Sequence, residues 1–317
     1  MTARLWACYG QAYVSGPRLQ IVTGKGGVGK TVVATTLALL EAEAGHTTLL
    51  AEAHGGGRVT SLLGLPASGA EITRVRPNLF VVDMNPRAAI HEYARLIFRF
   101  ESLVNAVFEN ATVRRFLRLI PSLGELVMLG KIWFHEQEQN EHGPRFDRII
   151  LDAPATGHAL AMLRAPSLVA AAVPPGPLRD ITRNLSILLR DPERTALHLV
   201  TTPEEMPVAE TLELLHAAQE ELGLRVGRLF INQKLTPLAH AALRHLAAKG
   251  DVPLQAVAES LALREQRRMS QEEQLRALPD KLRAHAVVMP RLVTAAFGYE
   301  ALQKLADQIR PQWEQDT

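Results

Sequence analysis

The sequence predicts an α/β fold, a mostly parallel sheet flanked by helices, and three observations carry that expectation. Short apolar runs recur at 19–23, 47–52, 79–83, 148–152, 196–202, 225–232 and 286–289, with helical patterns between several of them. Strands that alternate with helices are the mark of a sheet whose crossovers cover both faces. Most of these runs are continuously apolar rather than alternating, as strands buried on both sides must be. The third observation is a glycine-rich turn between the first run and an apolar, small-residue stretch at 32–44, where a strand hands over to a helix.

In chain order, 1–17 is expected to be a short N-terminal extension, since it carries Arg4 but no long apolar core of a signal peptide. Leu19-Gln20-Ile21-Val22-Thr23 makes the first strand. Gly24-Lys25-Gly26-Gly27-Val28-Gly29-Lys30-Thr31 follows and fits G-x-x-x-x-G-K-[ST], the phosphate-binding P-loop. Its glycines let backbone N–H groups converge on phosphate oxygens, and the helix that runs on from Val32 adds its positive dipole end. In this motif Lys30 reaches the β- and γ-phosphates and the Thr31 hydroxyl ligates Mg²⁺, so ATP and Mg²⁺ are the expected ligands. The run Ile149-Ile150-Leu151-Asp152 ends in a carboxylate placed to hold Mg²⁺ through a water.

Between those two runs the rhythm breaks. Residues 87–140 read as consecutive helices at 88–109, 112–120 and 124–137, an inserted helical subdomain that splits the P-loop domain into 18–86 and 141–317. Its apolar residues, among them Tyr93, Ile97 and Phe100, either pack against one another or line a groove for an apolar ligand or peptide. The Gln/Glu cluster at 136–141 reads as a solvated helix end or loop. Helices at 208–222, 238–249 and 300–309 continue the alternation.

Composition narrows the function classes. A hydrophobic content of 47% with 21% charged residues is ordinary for a globular chain. A net charge of +2 points to no nucleic-acid or anionic-membrane partner. The single cysteine, Cys8, leaves no intrachain disulfide and no Cys-x-x-Cys metal site. With no apolar run of about 18 residues, no transmembrane helix is expected, and the cytoplasm is the expected location.

Lys25 narrows the class further. A P-loop that works within one subunit needs one lysine, and this chain otherwise favours arginine. The K-G-G-V-G-K-T form resembles the deviant loop of the ParA, MinD, nitrogenase iron protein and ArsA group. That resemblance implies that Lys25 reaches across a dimer interface to the partner's nucleotide. Asp152-Ala153-Pro154-Ala155-Thr156-Gly157-His158-Ala159-Leu160 looks like the D-T-A-P-T-G-H-T-L signature of the ArsA arsenite-pump ATPases and the guided-entry targeting ATPases for tail-anchored proteins. In those proteins it is the switch that senses the γ-phosphate. Residues 199–211 are similar to the family's V-T-x-P-E-x-x-S-x-x-E-T segment. Phe230-Ile231-Asn232-Gln233 resembles its V-V-N-Q/R strand end, which implies that Asn232 contacts the adenine. An amide has the donor and acceptor that an adenine edge requires, and a strand-terminating Asn-Gln turn is the alternative. The resemblance, from Leu19 to Leu235, implies an ArsA-type ATPase. Such a protein would dimerise with itself or a paralogue and couple nucleotide state to an unknown protein or small-molecule client.

One departure bears on hydrolysis. The family's aspartate at the end of the second strand, in D-P-A-x-x-L-S-D, falls on His54 within Ala51-Glu52-Ala53-His54-Gly55-Gly56-Gly57-Arg58. A bacterial subset of ArsA-like proteins is similar here. Imidazole accepts a proton near neutrality, so His54 is a candidate replacement base; slow or partner-dependent turnover is the alternative. The chain also lacks the zinc Cys-x-x-Cys, a cysteine trio for arsenite, and a methionine-rich stretch in the insertion. A ParA- or MinD-like spatial regulator and a poorly hydrolysing regulatory subunit of a paralogous heterodimer both stay open, although 303–317 has no dense basic face.

Overall fold

Side chains alternate across a strand, and here both sets are apolar: Leu49 and Ala51 join one buried cluster while Leu50 joins another. Ile149 and Leu151 are separated from Ile150 in the same way. The sheet therefore carries a core on each face, and helices must cover both. The computed structural model describes residues 16–53, 56–66, 69–84, 123–141, 143–173, 175–237 and 254–315. His54 and the helices expected at 88–109, 112–120 and 238–249 lie outside the described residues.

The elements in order are β1 (Leu19–Gly24), α1 (Lys30–Glu43), β2 (Thr48–Glu52), α2 (Arg58–Leu62), β3 (Thr73–Arg76), β4 (Leu79–Asp83), α3 (Leu123–Gln137), β5 (Gln139–Asn140), β6 (Gly143–Pro144), β7 (Arg148–Ala155), α4 (Thr156–Ala172), α5 (Pro177–Arg190), β8 (Thr195–Thr201), α6 (Glu205–His216), β9 (Val226–Lys234), α7 (Leu254–Leu275), α8 (Asp280–Ala284), β10 (Val287–Pro290) and α9 (Tyr299–Glu314). One eight-stranded sheet has the order β10-β9-β8-β1-β7-β2-β4-β3, and β5 pairs only with β6. Every pairing in the large sheet is parallel except that of β3 with β4. This is the expected α/β architecture. All the parallel strands thus end on one edge, where ligands bind in such sheets.

One face is covered by α3, α4, α5 and α6, through residues such as Leu129, Met162, Leu188 and Leu214. The other is covered by α1, α2 and α9. Helix α1 is buried on nearly every side because α9 packs over it, which is why its sequence shows no polar face. Helix α3 is the last of the three helices expected for the insertion, and it buries Leu126, Leu129 and Ile132 in the main core. The Gln/Glu cluster is not uniformly solvated: Glu136 is buried and accepts a hydrogen bond from Arg194 Nη2 at 2.6 Å. Its carboxylate terminates α3 against the start of β8, and only the hairpin beyond it is exposed. Among the described residues no helix is long and apolar enough to cross a membrane.

His198 lies inside the sheet, edge-on to Phe230 and Trp313. Its Nδ1 accepts the Arg228 backbone N–H at 3.0 Å, so the ring is held neutral. Burial, then the nearby Arg228 and Arg225, lowers its pKa from 6.5 to about 3. The unfolded chain thus binds a proton that the folded chain refuses. Stability present above pH ~6.5 is expected to fall as pH drops toward about 3, by about 1.4 kcal/mol per pH unit. Urea unfolding of wild type and His198→Asn between pH 7 and pH 5 checks this: the variant should lose about one proton of slope. Equal slopes would refute the assignment.

Candidate active site

Two close approaches fix the P-loop. A Cβ on Gly24 would fall 2.1 Å from the Val200 carbonyl oxygen of β8, so β1 can end only in glycine there. Gly29, at φ 91°, caps α1 in the left-handed region, and a Cβ on it would lie 2.3 Å from Asn232 Nδ2. By contrast, a Cβ on Gly26 or Gly27 would meet nothing within 4 Å. The loop is open at these glycines, beside the N-terminus of α1, where a helix leaves its first N–H groups without intrahelical partners. Val28 and Val32 pack into the core below it, so they offer a ligand backbone only.

Lys30 begins α1 and is 8% exposed. Its Nζ donates to the Lys25 carbonyl oxygen at 3.0 Å. Burial holds this ammonium below the usual lysine range, with Asp152 pulling the other way. A cation placed so, with no carboxylate salt bridge among the described residues, calls for an anion.

Strand register supplies the acidic side. Asp152 of β7 pairs with Glu52 of β2, which pairs in turn with Asp83 of β4. Three carboxylates thus stand in a row beside the loop. Asp152 is 1% exposed, and its Oδ2 accepts the Thr31 hydroxyl at 2.7 Å. Its Oδ1 is buried and has no partner among the described residues. Burial, and secondarily Glu52, pushes the Asp152 pKa up to about 6. A hydroxyl and a carboxylate with an unpartnered buried oxygen form an oxygen-only set that fits Mg²⁺.

Glu52 is fully buried; its two oxygens accept the N–H groups of Arg58 at 3.1 Å and Val59 at 3.3 Å. Burial raises its pKa. It stands at the carboxyl end of its strand, the edge where ligands bind in such sheets, and only the strand register shows that it faces Asp152. Asp83 Oδ2 accepts the Gly56 N–H at 3.2 Å.

Asn232 is buried at the end of β9 and clamps the loop: Nδ2 donates to the Val28 carbonyl at 2.8 Å and Oδ1 accepts from Gln233 N at 2.9 Å. Lys25 extends to α6, where its Nζ lies 2.8 Å from Glu210 Oε1. Thr23 Oγ1 donates to the Pro154 carbonyl at 2.8 Å, binding the end of β1 to the segment after Asp152. His158, further along that segment, lies 3.8 Å from Glu125 of α3. Lys25, Lys30, Thr31, Asp152 and Asn232 are therefore gathered around one loop.

The family described as anion-transporting ATPase matches residues 18–174, a span that holds the P-loop, Glu52 and Asp152. The chain is 30% identical to ATPase BagA of Mycobacterium tuberculosis over 258 residues, 78% of this chain and 74% of that one. It is 27% identical over 273 residues to ATPase GET3B of Arabidopsis thaliana, covering 68% of this chain and 63% of that one. With the arsenical pump-driving ATPase of Acidiphilium multivorum it shares 28% identity over 260 residues, 73% of this chain but 42% of the other. The residues gathered around the loop up to Asp152 lie within the matched span, and the chain belongs to the anion-transporting ATPase family, the ArsA-like ATPases.

Proposed function

We propose that this protein binds and hydrolyses ATP with Mg²⁺ at the P-loop, closing as a dimer around the nucleotide and passing that change to a client. The observation that carries this reading is the meeting of Lys30 and Thr31 with the buried, half-satisfied carboxylate of Asp152 at 2.7 Å from the hydroxyl. The open glycine loop would take the phosphates on its N–H groups, and Lys30 would turn from the Lys25 carbonyl onto the β/γ-oxygens. Thr31 and Asp152 would hold the metal, which when bound supplies charge neutralisation at the phosphate oxygens. His54 is the proposed water-orienting base and Asn232 the proposed adenine contact, with turnover slow or partner-dependent.

Lys25 supports the dimeric part. Its ion pair with Glu210 is partly exposed at 26% and 30%, and pairs of that kind contribute about 1 kcal/mol or less. A triphosphate in a partner subunit would easily displace it. Lys25→Ala is expected to keep nearly full nucleotide affinity while losing ATP-induced association, with turnover down by roughly 10²-fold or more. Mass in solution with and without ATP, and phosphate release, measure the two. Mixing Lys25→Ala with Lys30→Ala subunits should restore turnover, because each supplies what the other lacks. A Lys25→Ala protein that hydrolyses ATP at the wild-type rate overturns the trans role.

A further inference from the structure

Arg58 is the second cation at this site. Its backbone N–H is held by Glu52 Oε1 at 3.1 Å, and Glu52 stands in register beside Asp152, whose carboxylate holds Thr31. Arg58 is therefore fastened one carboxylate away from the proposed metal position. Its side chain is exposed and makes no hydrogen bond or ion pair among the described residues. It is nevertheless close enough to act electrostatically on Lys30, Glu52 and Asp152.

Lys30 and Arg58 thus lie within electrostatic reach of each other, with no salt bridge to a carboxylate from either side chain among the described residues. Asp152 and Glu52 offset part of that repulsion, and an anion entering beside the two cations would offset the rest. Glu52 does not supply that anion, since its two oxygens already accept the Arg58 and Val59 N–H groups. A phosphoryl group has three oxygens and suits a planar guanidinium, which binds it by two parallel hydrogen bonds. Lys30, at the base of the loop, takes the inner phosphates. Arg58 is the more exposed of the two, at the start of α2.

We propose that Arg58 is a γ-phosphate ligand of this ATPase, supplied in cis from the start of α2. It makes the site prefer ATP over ADP and stabilises the charge that spreads over the phosphoryl oxygens during transfer. The Glu52 bond makes the same residue a signal line: engaging the phosphate pulls on the 56–62 segment through the Arg58 backbone. This assignment rests on the P-loop reading, and ADP separates the two because ADP lacks the phosphate that Arg58 is assigned.

The test is titration of the full-length protein with ADP and with ATP, in the presence of Mg²⁺, for wild type, Arg58→Ala and Arg58→Lys. ADP affinity should be the same in all three. The ATP-over-ADP preference should fall at least tenfold in Arg58→Ala and be partly kept in Arg58→Lys. Single-turnover hydrolysis should fall by roughly 10³-fold in Arg58→Ala, the lower end of what an arginine contributes to such reactions. A side chain that is exposed and has no partner among the described residues leaves folding out of the comparison. A wild-type ATP:ADP ratio and rate in Arg58→Ala overturn the Arg58 assignment alone. A wild-type protein that binds neither nucleotide overturns the P-loop reading, and the Arg58 assignment with it.

Discussion

Lys30→Ala is expected to abolish ATP binding while leaving the protein folded. The Lys30 ammonium is buried, its nearest bond is to a neutral carbonyl at 3.0 Å, and no carboxylate salt bridge holds it among the described residues. The rest of the loop offers neutral amides. Removing the fixed charge that faces a polyanion in such a place costs about 2–5 kcal/mol, or roughly 10²–10⁴ in affinity. ATP-dependent thermal stabilisation should therefore vanish at millimolar nucleotide, as linkage requires. The stability of the protein without nucleotide should move the other way or not at all, because burial disfavours this cation. That contrast distinguishes lost binding from lost folding. Melting curves with and without Mg²⁺ and ATP decide it, and undiminished stabilisation by ATP in the Lys30→Ala protein would sink the P-loop assignment.

What was legible in the sequence follows from how each element is buried. The parallel strands are apolar on both faces and were visible as unbroken runs, to within one or two residues apart from β7, which runs three residues further. Strand β3 was not, because Thr73-Arg74-Val75-Arg76 is an edge strand whose charged residues blunt it against further pairing. Helix α4 was hidden for the opposite reason: it is apolar nearly throughout, with Pro166 inside it, so periodicity had nothing to contrast. Helix α7 is dominated by polar residues and shows little apolar stripe. In the site, Lys30, Thr31 and Asp152 were readable because a motif fixes their spacing. Glu52, Arg58 and Glu210 act through register and tertiary approach. Glu52 pairs across strands with Asp152, and Glu210 reaches Lys25 from 185 residues away along the chain, distances that no local pattern encodes. Asn232 shows a role of a third kind. Its place at a strand end was read from resemblance, whereas its clamp on the Val28 carbonyl is visible only in three dimensions.

Asp152→Asn is expected to separate stability from activity. In the folded protein Asp152 is almost fully buried, and its pKa rises from 3.8 to about 6 because burial outweighs the Thr31 bond. A raised carboxylate pKa favours the folded state only where the group is protonated. That advantage is complete below pH ~3.8 and is lost as pH rises through about 6, leaving the ionised group about 3 kcal/mol less favourable in the folded than in the unfolded chain. An amide keeps the acceptor for the Thr31 hydroxyl and carries no charge. The Asp152→Asn protein without nucleotide should therefore be more stable than wild type at pH 8, by up to about 3 kcal/mol, with the gap closing toward pH 4. Activity should go the opposite way. The same carboxylate is the proposed anchor of the metal, and its loss should lower turnover by about 10³-fold or more, as removal of several kcal/mol of transition-state stabilisation does. Wild type should also gain more stability than the variant when Mg²⁺ and ATP are added together, since that charge then acquires a partner. Urea unfolding at pH 8 and pH 4, paired with phosphate release, measures both arms. A residue kept for packing would show the reverse: an Asp152→Asn protein that is less stable at pH 8 yet still hydrolyses ATP in a Mg²⁺-dependent manner.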